Sequence, residues 1–390
     1  MILSTINKAL NESDIDCEPY CLDTIRNLST TPEPYIQHTE RPEIYLVPIV
    51  FALIFILGAT GNGALVYFFI RYPHMRNPPN TYIISLALGD LMVVVFCVPF
   101  ISTIYTTRSW PFGELICRLQ ETVRDLSVGV TVFTLTALSS ERYFAIAKPV
   151  TRRAGATHSA LTNIAAIWVA SGGLALPAAI FSHVRYFPIS DGDTIAVCYP
   201  FPDWLGEFYP KIIVIVKFLI FYLIPLSAIG IFYCLMARHL VATTIALPGE
   251  AFHQRHRATQ MAARRKVAKM VLAFVFIFAL CFMPNHVFLL WFYFNPNSRD
   301  DFNNFWNAFR ITGFCLGFIN SCINPVTLYC ISGTFRKYFN HHLFCDLCGK
   351  VTVTQQSFTR LRYHSSGAGL TSRTDQIDMS ILNGPEKQTL

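Results

Sequence analysis

Charged side chains are scarce in this chain. Asp, Glu, Lys and Arg make up 14% of the 390 residues, whereas apolar residues make up 53% and the mean hydropathy is +0.40. Soluble domains carry about 25% charged residues, so this composition argues against a soluble protein. The net charge of +7 would suggest nucleic acid in a soluble chain. Here the basic residues cluster in particular loops, which indicates membrane topology instead.

Several arrangements that would indicate other functions are missing. The sequence pairs no nucleophile with a base and holds no cluster of metal ligands, which disfavours an enzyme. Acids and histidines along the apolar segments are too few for a proton relay. The polar, acidic start of the chain lacks the basic and then apolar stretches of a signal peptide, so we expect the first membrane helix to direct insertion.

Seven apolar segments follow, each near the roughly 20 residues that a helix needs to cross a bilayer. They cover residues 46–70, 81–105, 121–147, 160–181, 212–236, 267–294 and 309–331. Lys and Arg are concentrated after the first, third, fifth and seventh segments. Because positively charged loops stay in the cytoplasm, we expect an extracellular N-terminus and a cytoplasmic C-terminus.

The predicted fold is therefore an all-α membrane protein, a bundle of seven transmembrane helices at residues 44–332. Residues 1–43 form an extracellular tail. Residues 333–348 contain a basic and aromatic run at helical spacing, which predicts a short amphipathic eighth helix at the membrane surface. Residues 349–390 are polar and predict a disordered cytoplasmic tail, whose Ser and Thr residues are candidate phosphorylation sites for recruiting arrestin.

Both termini carry candidate modification sites. Asn11 and Asn27 stand in glycosylation sequons, which count only if the tail lies outside the cell. In the same tail Cys17 and Cys21 either pair or remain two unrelated thiols.

At the other terminus, Cys345 and Cys348 follow the eighth helix and are candidate palmitoylation sites. A metal or redox role for this Cys-x-x-Cys pair lacks a second ligand pair or the surrounding strand–helix pattern.

The second outer loop predicts a β-hairpin. Two β-prone runs, residues 183–189 and 194–200, flank Asp191-Gly192, a sequence typical of a hairpin turn. Cys198 lies in the second run and Cys117 opens the third apolar segment. Both are expected on the oxidising side of the membrane, where a disulfide persists.

Polar residues inside the bilayer form a second candidate site. Asp90 lies midway along the second segment, where an isolated carboxylate is costly. Neutral oxygen donors occur at comparable depth, which suits a sodium ion or a water-filled polar network. A purely structural hydrogen-bond network is the alternative. The neutral residues are Asn62, Thr131, Asn320, Ser321 and Asn324.

The third segment ends in Glu141-Arg142-Tyr143, where the membrane core meets water. Charges there are costly unless they are paired. We interpret Arg142 as held in a resting state by Glu141 and released when the bundle rearranges. The alternative is an arginine that extends to the lipid headgroups.

In their order along the chain, these motifs resemble the class A (rhodopsin-type) G-protein-coupled receptors. The closest resemblance is to the bombesin-receptor and invertebrate CCHamide neuropeptide-receptor group. Phe282 replaces the usual tryptophan of the sixth helix, and Phe292 and Phe314 stand where bombesin receptors typically carry arginines. The resemblance rests on Gly61-Asn62, LALGD at 86–90, Glu141-Arg142-Tyr143, Trp168, Pro225 with Tyr233, CFMP at 281–284, and Asn324-Pro325.

The resemblance implies a plasma-membrane receptor for a neuropeptide, bombesin-like or CCHamide-like. Arg124, two turns below Cys117, replaces the aspartate of amine receptors and suits a carbonyl, an amidated C-terminus or an acidic side chain. Its neighbour Asp125 can instead neutralise it, and His286 can be a core residue. The candidate ligand-binding residues are Gln120, Arg124, Asp125, Phe282, Asn285, His286, Arg310 and Phe314.

The resemblance also implies a heterotrimeric G protein, of the Gq class, as the inner partner. Arg142 would contact the Gα subunit once the sixth helix moves outward. Basic residues at the start of that helix would contact Gα or anionic lipid. A transporter that couples an ion at Asp90 is the alternative function. The candidate coupling residues are Glu141, Arg142, Tyr143, Pro149, Val150 and Tyr233.

Overall fold

The computed structural model describes residues 42–107, 109–147, 156–188, 194–245 and 251–340. Helix α2 has two parts separated at Cys97, and α5 has two parts joined by a π turn, Leu219–Leu223. The helices are α1 Glu43–Arg71, α2 Pro78–Phe96 with Val98–Thr107, α3 Gly113–Ala147, α4 Ala156–Phe181, α5 Phe208–Phe218 with Ile224–Ile245, α6 Ala251–Phe294, α7 Asn304–Ile331 and α8 Gly333–Phe339.

Helix α3 lies at the centre of the bundle. It packs against α2, α4, α5 and α6. Helices α1, α2, α4, α5, α6 and α7 are each long and apolar enough to cross a bilayer by length and composition. Helix α3 does not meet that criterion, and its first half carries Glu114, Arg118, Glu121, Arg124 and Asp125. A central helix faces other helices instead of lipid, so it can carry these groups if they are paired.

The bundle has an apolar core and an apolar outer surface. Leu86, Leu135 and Phe274 are buried between helices, whereas Val169 on α4 is 76% exposed and Phe276 on α6 is 62% exposed. In a membrane the exposed apolar side chains contact lipid, so they carry no penalty.

Small residues allow the closest helix contacts. A Cβ atom at Gly129 of α3 would lie 2.8 Å from the Ser171 Oγ of α4, and one at Gly313 of α7 would lie 2.9 Å from the Asn285 backbone nitrogen of α6. Only glycine fits such approaches without displacing a neighbour.

Prolines coincide with irregularities in two helices. The break of α2 at Cys97 precedes Pro99, and the π turn of α5 ends just before Pro225. Pro177, Pro284 and Pro325 lie inside α4, α6 and α7. A proline cannot donate a backbone hydrogen bond, so these are the points where the helices can bend.

The predicted hairpin is present. Strand β1, His183–Pro188, pairs antiparallel with β2, Thr194–Tyr199, with Val184 opposite Cys198. The turn at Asp191-Gly192 lies outside the described residues. A disulfide joins Cys117 to Cys198, as predicted, and so attaches the hairpin to the first turns of α3. We call this end of the bundle the hairpin end.

The opposite end carries Arg142 and the short helix α8, and we call it the Arg142 end. Phe335 and Phe339 of α8 are buried, whereas Arg336 and Lys337 are exposed, which gives the helix the predicted amphipathic character. The Tyr329 hydroxyl of α7 lies 3.0 Å from the Asn340 Oδ1 directly after α8. Cys345 and Cys348 lie outside the described residues, as do Asn11, Cys17, Cys21 and Asn27.

Candidate functional site

A large cavity opens at the hairpin end. Its volume is about 900 Å³, near the upper end of the range for ligand pockets. Strand β2 and the segment after it form one side, and membrane helices form the others. Its lining residues include Tyr105 of α2, Gln120, Glu121 and Arg124 of α3, Arg185 and Val197 of the hairpin, Phe288, Phe292 and Tyr293 of α6, and Arg310, Ile311 and Phe314 of α7.

Helix α3 contributes the polar wall. Gln120, Glu121 and Arg124 line the cavity because positions three and four residues apart fall on one helix face, and Cys117 lies on the same face. The Gln120 Nε2 lies 3.4 Å from Cys198 Sγ, and its Oε1 is buried without a hydrogen-bond partner. The side-chain amide oxygen of Gln120 is therefore a free acceptor in the wall.

Arg124 pairs with Glu121, one turn earlier on α3. The sequence left open a pairing of Arg124 with Asp125, and the structure corrects it. Consecutive residues of a helix point in different directions, whereas residues three apart are neighbours. Asp125 instead faces α5, where its Oδ2 lies 2.6 Å from the Lys217 Nζ.

Arg310 provides a second guanidinium, on the α7 wall. Its Nη2 donates to the Asn307 Oδ1 at 3.0 Å, and its Nε is buried without a hydrogen-bond partner. Phe314, one turn further along α7, packs edge-on against Phe51 and Phe318. The cavity thus combines unsatisfied polar atoms with an aromatic floor.

Four of the predicted ligand-binding residues are absent from the cavity lining within the described residues: Asp125, Phe282, Asn285 and His286. His286 is buried, and its ring lies 4.9 Å from that of Tyr222. Phe282 packs on Phe278, with ring centroids 4.6 Å apart. The α6 wall comes from residues one to two turns nearer the hairpin, because the rotation of α6 turns the earlier residues toward α5 and α7.

Several residues of the cavity were not predicted from the sequence, notably Glu121, Tyr105 and Tyr293. Glu121 could have been found, since it follows Cys117 by one helical turn.

At the rim, Arg185 pairs with Asp203 at 2.7 Å and lies over the Phe187 ring. Tyr199 of β2 also lines the cavity, and burial raises the pKa of its hydroxyl.

The Asp90 group lies in the middle of the bundle. Asp90 is fully buried, and the Asn324 Nδ2 donates to its Oδ2 at 2.7 Å. Asn62 donates to the backbone oxygens of Ser321 and Gly58 at 2.7 and 3.0 Å. Thr131 and Asn320 are also buried.

Two oxygens of this group, Asp90 Oδ1 and Asn62 Oδ1, are buried without hydrogen-bond partners. Oxygen donors with one negative charge suit a hard cation, so these residues fit a sodium ion or ordered water. Bound sodium would balance the Asp90 charge.

At the Arg142 end, the side chains of Glu141 and Arg142 are packed away from solvent. The Arg142 Nη2 lies 3.6 Å from the Glu141 Oε2, and the two side chains are 12% and 6% exposed. The Tyr233 hydroxyl of α5 donates to the Ala268 carbonyl of α6 at 2.7 Å. Tyr143 and Tyr233 pack against a cluster of Ile146, Met236 and Ala268. Pro149 and Val150 lie outside the described residues.

Comparison with known proteins identifies the family. Residues 61–329 match the family described as 7 transmembrane receptor (rhodopsin family). The chain belongs to this family. Its membership confirms that the protein is a receptor and not an enzyme.

Two relatives refine the comparison. The receptor is 48% identical over 329 residues to the neuropeptide CCHamide-1 receptor of Drosophila melanogaster, a match that covers 83% of this chain and 65% of the relative. It is 39% identical over 310 residues to bombesin receptor subtype-3 of Ovis aries, covering 78% of this chain and 76% of the relative. The predicted resemblance to the bombesin and CCHamide receptor group is confirmed.

Proposed function

We propose that this protein is a plasma-membrane receptor for a neuropeptide, which binds in the cavity at the hairpin end and activates a heterotrimeric G protein. The observation that carries the proposal is the cavity itself, about 900 Å³ in volume, with guanidinium groups on its α3 and α7 walls. A guanidinium offers several N–H donors in a fixed plane, which suits the carbonyl groups of a peptide. The names of the two relatives also point to peptide ligands.

In this proposal the hairpin end faces outward. A disulfide at that end fits an oxidising compartment, and the basic loops at the other end fit the cytoplasm. Residues 1–43 are then an outer tail with Asn11 and Asn27 open to glycosylation. Residues 349–390, after the palmitoylated Cys345 and Cys348, are a cytoplasmic tail that binds arrestin when phosphorylated.

Activation is a shift between two populations of the bundle. A peptide that binds the open conformer more tightly raises its population, which exposes Arg142 to the Gα subunit. Opening requires α6 to leave α5, so the hydrogen bond from Tyr233 to Ala268 is one contact that must break. Pro149 and Val150 would add apolar contact with Gα, and sodium at Asp90 would favour the resting conformer.

Calcium release in cells that express the receptor tests this proposal. The probes are synthetic CCHamide-1 and bombesin, each with a C-terminal amide, and a scrambled CCHamide-1 as control. We expect a response at nanomolar concentration to at least one peptide, abolished by a Gq inhibitor. With surface expression verified, silence toward both peptides would contradict the proposed combination of ligand and Gq coupling, and a response that survives the inhibitor would refute Gq coupling alone.

A further inference from the structure

Four ionisable side chains form a continuous row from the cavity to α5. Arg124 forms an ion pair with Glu121, and Lys217 forms an ion pair with Asp125, with 2.6 Å between the Lys217 Nζ and the Asp125 Oδ2. The two pairs are adjacent, because Asp125 directly follows Arg124 on α3 and lies one helical turn after Glu121. We call these four side chains the charge row.

The charge row is balanced and mostly buried. Its two carboxylates and two cations sum to zero, and the side chains are between 7% and 30% exposed. Lys217 stands among Ile and Val residues of α5 and borders a small, largely apolar cavity against α4. An ammonium group in such a segment is costly, and a charged residue inside a membrane span is by default a functional one.

Two members of the charge row, Glu121 and Arg124, line the ligand cavity. A ligand carboxylate at Arg124 would meet two protein carboxylates in its surroundings and leave the buried site with a net negative charge. An uncharged acceptor would bond the same guanidinium without that penalty, because burying a net charge costs far more than burying a neutral dipole.

We propose that Lys217 keeps the charge row neutral and thereby makes Arg124 select an uncharged acceptor on the ligand, such as a carboxamide, over a carboxylate. The ligand part of this inference rests on the proposed peptide function. Lys217 is a positioning residue in this account. It touches Asp125 and acts on the ligand through the charge balance of the row.

Two forms of one peptide test the inference, namely CCHamide-1 with its C-terminal amide and the same peptide with a free carboxylate. The measured quantity is the ratio of their half-maximal concentrations in the calcium assay. A ratio taken on one receptor cancels differences in folding and expression. The variants are Lys217→Met, Asp125→Asn and the double variant, with Lys337→Met on α8 as an exposed lysine control.

We expect Lys217→Met to increase the preference for the amide by about tenfold, because it leaves the row with an extra negative charge. Asp125→Asn, which leaves an extra positive charge, should decrease the preference by a similar factor. The double variant and Lys337→Met should both keep the wild-type ratio. An unchanged ratio in both single variants, or a double variant that differs from wild type, would overturn the proposal.

If the receptor responds to neither peptide, the proposed ligand is refuted. Thermal unfolding of the ligand-free receptor in detergent then tests the charge row by itself. Each single variant should lower the melting temperature, since it leaves one buried charge unpaired. The double variant should recover most of the loss. Losses that simply add would show that the charges do not compensate each other and would overturn the inference.

Discussion

Arg124 and Arg142 lie on the same helix, about 27 Å apart at a rise of 1.5 Å per residue, and each has a glutamate of α3 as its ion-pair partner. Their surroundings differ. Arg124 is 30% exposed, lines the cavity at the hairpin end and pairs with Glu121, one turn away. Arg142 is 12% exposed and lies 3.6 Å from its sequence neighbour Glu141, beside an apolar cluster.

The difference shows how one helix can serve two ends of a receptor. At the hairpin end the charges border a space that is already formed, so a ligand can reach them without a large rearrangement. At the Arg142 end the charge is nearly buried beside the contact between α5 and α6, so we expect a partner to reach it only after those helices separate. Three perturbations probe the molecule, at the hairpin end, at the contact between α6 and α7, and at the centre of the bundle, in order of decreasing expected effect.

The largest effect is expected from the disulfide that attaches the hairpin to α3. Cys198→Ser should destabilise the receptor by about 2–5 kcal/mol, because the hairpin is no longer constrained over the cavity. Surface expression and peptide response should both fall, as measured by flow cytometry and calcium release. Cys234→Ser, which replaces an exposed free cysteine, is the matched control. Normal binding in the Cys198 variant would show that the cavity forms without the disulfide between the hairpin and α3.

A smaller effect is expected where α7 touches α6 at Pro284. A Cβ atom at Gly313 would lie 2.9 Å from the Asn285 nitrogen and 3.1 Å from the Pro284 carbonyl carbon. Gly313→Ala should therefore cost about 1–3 kcal/mol by overpacking, seen as a lower melting temperature of the purified receptor. Gly173→Ala has open space around it and should leave the melting temperature unchanged or raise it slightly. Equal behaviour of the two variants would contradict the close approach.

The smallest effect concerns the Asp90 group between the two ends. Replacing sodium in the buffer by a large organic cation should increase peptide affinity severalfold in the wild type, because sodium bound at Asp90 favours the resting conformer. Asp90→Asn keeps the shape of the side chain but not its charge, so its affinity should not depend on sodium. Competition binding in both buffers measures the effect. A sodium dependence that persists in the variant would show that the ion does not act at Asp90.

The seven-helix fold could be predicted because it follows from hydropathy, basic loops and motif order. The hairpin and the disulfide were predictable for a similar reason, since Asp191-Gly192 and the two cysteines are local signals. Even α3, which fails a simple hydropathy criterion, was marked by its apolar second half and by Glu141-Arg142-Tyr143.

The walls of the cavity were predicted less well, because they depend on how each helix is rotated. Gln120 and Arg124 were found by counting turns from Cys117 along a regular helix. Asn285 and His286 lie outside the lining of the cavity within the described residues, which could not be predicted, since nothing in the sequence sets the rotation of α6. The pairing of Asp125 with Lys217 depends on the depth and rotation of α5, which has a π turn directly after Lys217.

Paired measurements on Arg124→Gln and Arg142→Ala test the account most directly. Binding of labelled CCHamide-1 and activation of the G protein are measured on the same membranes at equal receptor density. We expect Arg124→Gln to lose binding by tenfold or more, of the order seen for a charged hydrogen bond, and Arg142→Ala to keep binding while activation disappears. Preserved activation in the Arg142 variant, or preserved affinity in the Arg124 variant, would contradict the division of roles between the two ends of α3.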